Sequence, residues 1–300
     1  MVITATGHAH AGGDAGWLFA AIAALAVTVY AVGVVLSARR GRPWPWTRSL
    51  CAVLGVAAAT AAVVGPLADA AHTGLTAHMR THLLIGMVAP VLLVLSAPVT
   101  LALRTLAVDP ARRLSRLLRS VPARFVSAPV MVLVLSAGGL WMLYLTPLVS
   151  LMRSDPLVHL LVQAHLLVAG FLFTSAVIGI DPRPHGPGWI LRAAVLAVSM
   201  ASHAILAKHL YAHPPAGVSV EDARAGAELM YYAGGWVEAS VVLVFCLQWY
   251  RATARDGRGG VRAAVASAER RARADRGNRW SSSTPSWWVR GSRVSPPPPS

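Results

Sequence analysis

Long blocks of apolar residues, separated by short polar segments, run along most of the chain. Seven blocks have the length of a membrane-spanning helix, about 18–24 residues, which crosses a hydrocarbon core of about 30 Å. Their apolar residues follow neither the alternation of a strand nor the single stripe of a soluble amphipathic helix. The pattern predicts an all-α polytopic membrane bundle of about seven transmembrane helices. The predicted spans are Trp17–Leu36, Leu50–Leu67, His82–Leu103, Ala128–Val149, Leu157–Ile180, Ile190–Tyr211 and Leu229–Tyr250.

Polar segments border this bundle at both ends. Residues 1–16 form a short outer N-terminal segment, and residues 17–251 form the seven-helix transmembrane domain. Residues 252–300 are rich in arginine, then in serine and proline, and the chain closes on four prolines and a serine. Such a composition buries little apolar surface. We therefore predict that 252–300 is a disordered, basic cytoplasmic tail.

A further polar segment, Asp109–Arg124, lies between the third and fourth spans. Four of its arginines interleave with leucines, a pattern typical of an amphipathic helix that lies in the membrane interface against anionic lipid. These arginines are Arg112, Arg113, Arg116 and Arg119.

The composition excludes a soluble domain, and the distribution of the basic residues accounts for the high net charge. Only 13% of residues are charged and the mean hydropathy is +0.55, whereas soluble domains carry about 25% charged residues. A net charge of +15 favours nucleic-acid binding in a soluble protein, but 23 of the 27 Lys and Arg residues lie on one side of the predicted bundle. The positive-inside rule makes that side cytoplasmic, so the N-terminus is outside and the C-terminus inside. We expect the lipid bilayer as a partner, and no nucleic acid.

With this topology, ten of the eleven histidines lie at or near the outer face. His165, His203 and Glu238 lie roughly 11–13 Å below the outer boundary. Ionisable groups at that depth are costly unless they pair, and they commonly mark a functional site. A structural hydrogen-bond cluster that ties the helices together is the alternative.

The spacing of the histidines decides which of them are able to bind the same metal ion. His78 and His82 are four residues apart, which places both imidazoles on one helix face, where they chelate one metal or serve as solvated polar caps. His159 and His165 are six residues apart, about 120° around their helix, so each needs partners from another helix. The candidate metal ligands are therefore His78, His82, His159, His165, His203 and Glu238. Three methionines, Met79, Met87 and Met200, are interpreted as packing residues.

Several motifs resemble the CtaG family of membrane assembly factors for caa-type cytochrome c oxidase. They are HMRTHLL (78–84), VAP (88–90), SAPVTL (96–101), HLLVQAH (159–165), GFLF (170–173), GIDP (179–182), His203 and the GGxxE sequence that ends at Glu238. The resemblance covers residues 15–250. It implies a multi-pass protein of the bacterial cytoplasmic membrane that helps to mature a respiratory oxidase and has its subunits as partners. It also implies copper handling at the outer face, with copper as the cofactor or cargo.

Imidazole suits copper, and the chain has no CxxC motif of a soluble metallochaperone. No nucleophile–base pair, phosphate loop or dinucleotide fingerprint is present in the sequence, so we expect a non-enzyme. Three alternatives stay open: a scaffold that binds no metal, a b-type haem protein with His165 and His203 as axial ligands, and a copper permease.

Overall fold

The computed structural model describes residues 9–71, 73–180, 188–215 and 217–282, and the regular structure in these ranges is helical throughout. The all-α bundle is therefore confirmed. In chain order the helices are α1 (Ala9–Arg39), α2 (Trp46–Val63), α3 (Pro66–Ala70), α4 (Leu75–Leu83), α5 (Ala89–Leu95), α6 (Pro98–Thr105), α7 (Val108–Leu118), α8 (Val121–Val126), α9 (Pro129–Leu133), α10 (Gly139–Leu145), α11 (Leu148–Ser154), α12 (Pro156–Ile178), α13 (Trp189–Ala212) and α14 (Val220–Ser282). Single π-helical segments join α4 to α5 (Leu84–Val88) and α9 to α10 (Val134–Gly138).

Six helical stretches are long and apolar enough to cross a membrane: Phe19–Arg39, Trp46–Val63, Leu75–Thr105, Leu157–Ile178, Trp189–Ala212 and Val220–Ala254. The fourth predicted span, Ala128–Val149, is a shorter apolar helix, Pro129–Leu145. Proline bounds it on both sides: Pro129 occupies its first position, and Thr146 adopts an extended backbone ahead of Pro147. The side on which each terminus lies stays a prediction.

The outer faces of the bundle are apolar, as lipid contact requires. On α1, four aliphatic side chains are each more than half exposed: Ile22, Leu25, Val29 and Val32. In water an apolar stripe of this length would be an interaction or aggregation surface. In a bilayer it is the surface that contacts the acyl chains.

The third span is built from several helical pieces rather than one regular helix. The π-helical segment Leu84–Val88 precedes Pro90, whose ring clashes with the carbonyl four residues earlier in a regular α-helix. A second break follows at Ala97, which is fully buried and has a left-handed backbone with φ of 50°. Tyr30 of α1 donates a hydrogen bond of 2.9 Å to the carbonyl of Ser96, so a neighbouring helix satisfies the freed backbone, as expected in a membrane.

Two apolar clusters hold the central helices together at different levels. One surrounds Met79, Leu143, Leu206 and Met230, all at most 1% exposed. The other surrounds Val177, Ile178, Leu196, Val241 and Phe245. On α13 and α14 the segment between the two clusters carries the ionisable residues described below. The packing therefore brackets the polar centre between two apolar layers.

Helix α12 approaches the third span closely at Gly170. A Cβ at Gly170 would collide with the carbonyl oxygen of Gly86 and lie 2.8 Å from Cγ of Pro90. Only a residue without a side chain fits there. The contact fixes α12 against the irregular part of the third span.

The predicted interfacial segment, Asp109–Arg124, is helical in α7 and α8. Its position relative to a lipid surface stays a prediction.

The chain divides into two compact units, Met1–Cys246 and Leu247–Ser300. The helix that begins at Val220 ends at Ser282, so the structure differs from the predicted disorder over 252–282. This stretch is rich in alanine and arginine, which are among the strongest helix formers and which a judgement from overall polarity underestimates. Residues 283–300 of the predicted tail, and 1–8 of the predicted N-terminal segment, lie outside the described residues.

Candidate metal centre

A cavity of about 80 Å³ lies inside the first unit, between the two apolar clusters. Residues of the third span, of the helix Pro129–Leu145, and of α12, α13 and α14 line it. Four of the six candidate metal ligands are among them: His82, His165, His203 and Glu238. Four separate stretches of the sequence therefore meet at one polar centre.

His82 enters the cavity from α4 and is only 4% exposed. The ring lies beside Gly86, one turn later, where a Cβ would be in ordinary van der Waals contact with Cε1 of His82 at 3.4 Å. The ring packs edge-on against Tyr144, with 6.2 Å between centroids. Neither ring nitrogen has a hydrogen-bond partner among the described residues. A buried imidazole of this kind lacks the interactions that normally offset burial.

His203 and Glu238 form a buried imidazole–carboxylate contact within the distance of an ion pair. The distance from Nδ1 of His203 to Oε1 of Glu238 is 3.3 Å, and the two side chains are 8% and 14% exposed. Gly234 of α14 lies flat against the imidazole, since a Cβ there would collide with Cε1 of His203. With Nδ1 donating to the carboxylate, the lone pair of a neutral ring lies on Nε2, which has no described partner.

His165 is held by a main-chain carbonyl of a π-helical segment. Its Nε2 lies 3.1 Å from the carbonyl oxygen of Leu135. Because a carbonyl only accepts, Nε2 is the donor and the lone pair of the neutral ring lies on Nδ1. A Cβ at Gly139 would collide with Nε2 of His165, so a glycine again makes room for the ring.

The other two candidates lie outside this lining. His78 is 5% exposed and packs edge-on against Tyr144 at 6.0 Å, on the same helix as His82. The prediction that His78 and His82 share one helix face is confirmed, since both rings contact the same tyrosine. His159 lies on α12 and its Nε2 is 3.4 Å from Nε2 of Gln163. Neither His78 nor His159 is among the described residues that line the cavity.

Two thioethers lie at the same cavity as the histidines. They belong to Met87 and Met200, interpreted above as packing residues. No pattern along one helix identifies them, because they lie on different helices and meet only in the folded bundle. The described residues contain no group of three His, Cys, Asp or Glu side chains already close enough to hold a metal ion. The four candidate ligands are therefore spread around a small cavity rather than gathered at one point.

A sequence profile of the family described as cytochrome c oxidase caa3 assembly factor, CtaG, matches residues 28–252. The chain belongs to this family. All six candidate ligands fall within the matched region. The cavity of this CtaG protein therefore lies in the part that defines the family.

Curated relatives occur in mycobacteria. The chain is 36% identical over 182 residues to uncharacterised proteins of Mycobacterium bovis and Mycobacterium tuberculosis, and 32% identical over the same length to one of Mycobacterium leprae. In each comparison the matched segment covers 58% of this chain and 28% of the relative. The chain thus spans well under half the length of these relatives. No solved structure matches the chain significantly.

Proposed function

We propose that this CtaG protein handles copper during maturation of a respiratory cytochrome c oxidase, and that it does so as a carrier rather than an enzyme. The observation that supports the proposal is the cavity between the apolar clusters. There His82 and His203 present buried imidazole nitrogens that have no described partner. The oxidase itself and its subunits are the partners we propose, and the bacterial cytoplasmic membrane is the proposed location.

The ligand types around the cavity suit copper as cargo. Imidazole and thioether are ligands of copper, and thioether in particular selects Cu(I) over harder ions. His82, His203 and His165 supply the imidazoles, and Met87 and Met200 supply the thioethers. Such a set binds Cu(I) without a thiolate. A site of this kind suits a protein that releases its ion to an acceptor better than one that retains it.

Glu238 has the position of a supporting residue for His203. A carboxylate that accepts a hydrogen bond from one imidazole nitrogen orients the ring and makes the other nitrogen a better ligand. The contact of 3.3 Å between Oε1 of Glu238 and Nδ1 of His203 has this arrangement. The carbonyl of Leu135 acts on His165 in the same way, but through Nε2.

The size of the cavity favours an ion over haem. Sites for small organic cofactors have volumes of roughly 300–1,000 Å³. The described cavity has about 80 Å³, which accommodates an ion and its ligands but not a macrocycle. The bis-histidine haem alternative therefore requires the central helices to separate.

The test is copper loading of the full chain, purified in detergent under reducing conditions. We expect about one Cu(I) per protein in the wild type and its loss in H82A/H203A. The matched control is H209A/H213A. His209 lies on α13 and His213 directly after it, and their rings stack with 4.7 Å between centroids. Neither residue is among the described residues that line the cavity. E238Q should weaken copper binding about 10- to 100-fold through the loss of ring orientation.

A further variant guards against misfolding of H82A/H203A. M87L/M200L keeps the volume of the lining, so the bundle should stay intact while Cu(I) retention falls. Absence of copper from the wild type, or equal loss in H82A/H203A and H209A/H213A, would contradict the proposal and leave the metal-free scaffold. A Soret band in the purified protein would establish the haem alternative.

A further inference from the structure

A second cavity, of about 790 Å³, lies away from the histidines and is strongly basic. Its polar lining consists of one serine and five arginines. These are Ser115, Arg40, Arg104, Arg112, Arg116 and Arg119. This cavity plays no part in the copper proposal, so the two proposals stand or fall separately.

Helix α7 and its C-cap residue, Arg119, supply three of the arginines because of their spacing. Arg112, Arg116 and Arg119 are four and three residues apart, which places them along one side of the helix. That side faces the cavity, and the neighbouring Arg113 is not among the described lining residues. The helix therefore gathers its positive charge at one place instead of spreading it around its circumference.

The other two arginines come from the ends of two membrane spans. Arg40 directly follows the span Phe19–Arg39, and Arg104 is near the end of the span Leu75–Thr105. The Nη1 of Arg40 donates a hydrogen bond of 2.6 Å to the main-chain carbonyl of Arg104, which fixes the two ends beside each other. Because apolar spans end where the hydrocarbon ends, we expect the cavity at the level of the lipid headgroups.

Few negative charges compensate the arginines of this cavity, although the guanidinium of Arg104 also lies over the ring of Trp44, 5.3 Å from its centroid. Among the described residues, the only carboxylate within ion-pair distance of these arginines is Asp109, at 4.0 Å from Arg112. Both of those side chains are largely exposed, at 84% and 73%, so their attraction is weak. Guanidinium groups that converge without counter-charges repel each other, and an anion that bridges them relieves the repulsion. The planar donor fork of arginine fits phosphate oxygens.

Apolar side chains indicate which kind of phosphate fits. Leu106 and Val108 also line the cavity, and they are 38% and 65% exposed. A soluble phosphate ion makes no use of such groups, whereas a phospholipid covers them with the upper part of its acyl chains. We infer that this cavity binds the phosphate headgroup of an anionic membrane lipid.

The test uses the full chain purified in detergent and titrated with phosphatidylglycerol or with zwitterionic phosphatidylcholine, with occupancy read by native mass spectrometry. We expect phosphatidylglycerol to bind more tightly. A direct charge-assisted hydrogen bond to a phosphate contributes about tenfold or more in affinity, so R112Q/R116Q, which removes two such donors, should weaken phosphatidylglycerol binding by about 100-fold. The matched control is R113Q/R124Q, which removes the same charge from exposed positions outside the described lining and should change binding by less than about twofold.

Three results would overturn the inference. The first is equal binding of the two lipids. The second is equal weakening in R112Q/R116Q and R113Q/R124Q, which would assign the effect to net charge alone. The third is displacement of the lipid by inorganic phosphate under conditions where chloride at the same ionic strength does not displace it. That result would mean that the cavity is a site for free phosphate. Circular dichroism and gel filtration of both variants check that the helices and the monodisperse state are retained.

Discussion

Replacing Gly234 by alanine tests the packing that holds His203 in place. A Cβ at Gly234 would collide with Cε1 of His203 and lie 3.3 Å from its Nδ1, the atom that contacts Glu238. Gly235, the next residue, provides the control, since a Cβ there meets no described atom within 4 Å. We expect G234A to destabilise the protein and G235A to leave it unchanged or slightly more stable.

The magnitude follows from a comparison of the two variants. Each gains the same helix propensity, about 1 kcal/mol for alanine over glycine, so this contribution cancels in their difference. Overpacking of a well-filled interior costs about 1–3 kcal/mol, and only G234A incurs it. For a bundle of this size a change of 1 kcal/mol shifts the melting temperature by about 2–4 °C. The melting temperature of G234A should therefore lie roughly 2–12 °C below that of G235A.

Thermal unfolding in detergent, followed by tryptophan fluorescence, measures this difference. A double-mutant cycle then identifies the cause, because H203A removes the ring that the new methyl group meets. In the H203A background, G234A should cost less than it does in the wild type. Equal melting temperatures for G234A and G235A, or an undiminished cost in the H203A background, would refute the account of this packing.

Two further substitutions test contacts that shape the bundle. G170A places a methyl group against the carbonyl oxygen of Gly86, so we expect it to destabilise the protein by about 1–3 kcal/mol and to lower the melting temperature. An unchanged melting curve would contradict the close approach. D222A removes the carboxylate that accepts hydrogen bonds from the main-chain amides of Leu75 and Thr76 at the start of α4. Loss of such a helix cap costs about 0.5–2 kcal/mol, and hydrogen exchange at the first turn of α4 should rise in D222A and stay unchanged if the cap contributes nothing.

Most of the helical architecture follows from the sequence alone. A bilayer demands long apolar helices because no water reaches the backbone in its core, so apolar block length is enough to place them. The block 128–149 shows the limit of this rule, because Pro129 and the extended Thr146 shorten the helix at each end. The long helix that ends at Ser282 shows another limit, since arginine-rich polarity concealed a strong local helix propensity.

The candidate centre required the tertiary structure. Sequence places His159 and His165 on one helix, but their angular separation of about 120° means that only one of them is able to face a given neighbour. Which one faces the cavity depends on the rotation of α12, which packing at Gly170 fixes, and it is His165 that lines the cavity. Met87 and Met200 join the centre for the same reason.

The sequence by itself therefore determined most of the helices and the family resemblance, because these depend on local composition and spacing. Only the tertiary structure decided which of the candidate ligands meet. Helix rotation and close approach arise from contacts between distant segments, such as Gly234 with His203 and Gly139 with His165. Those contacts have no signature within any single helix.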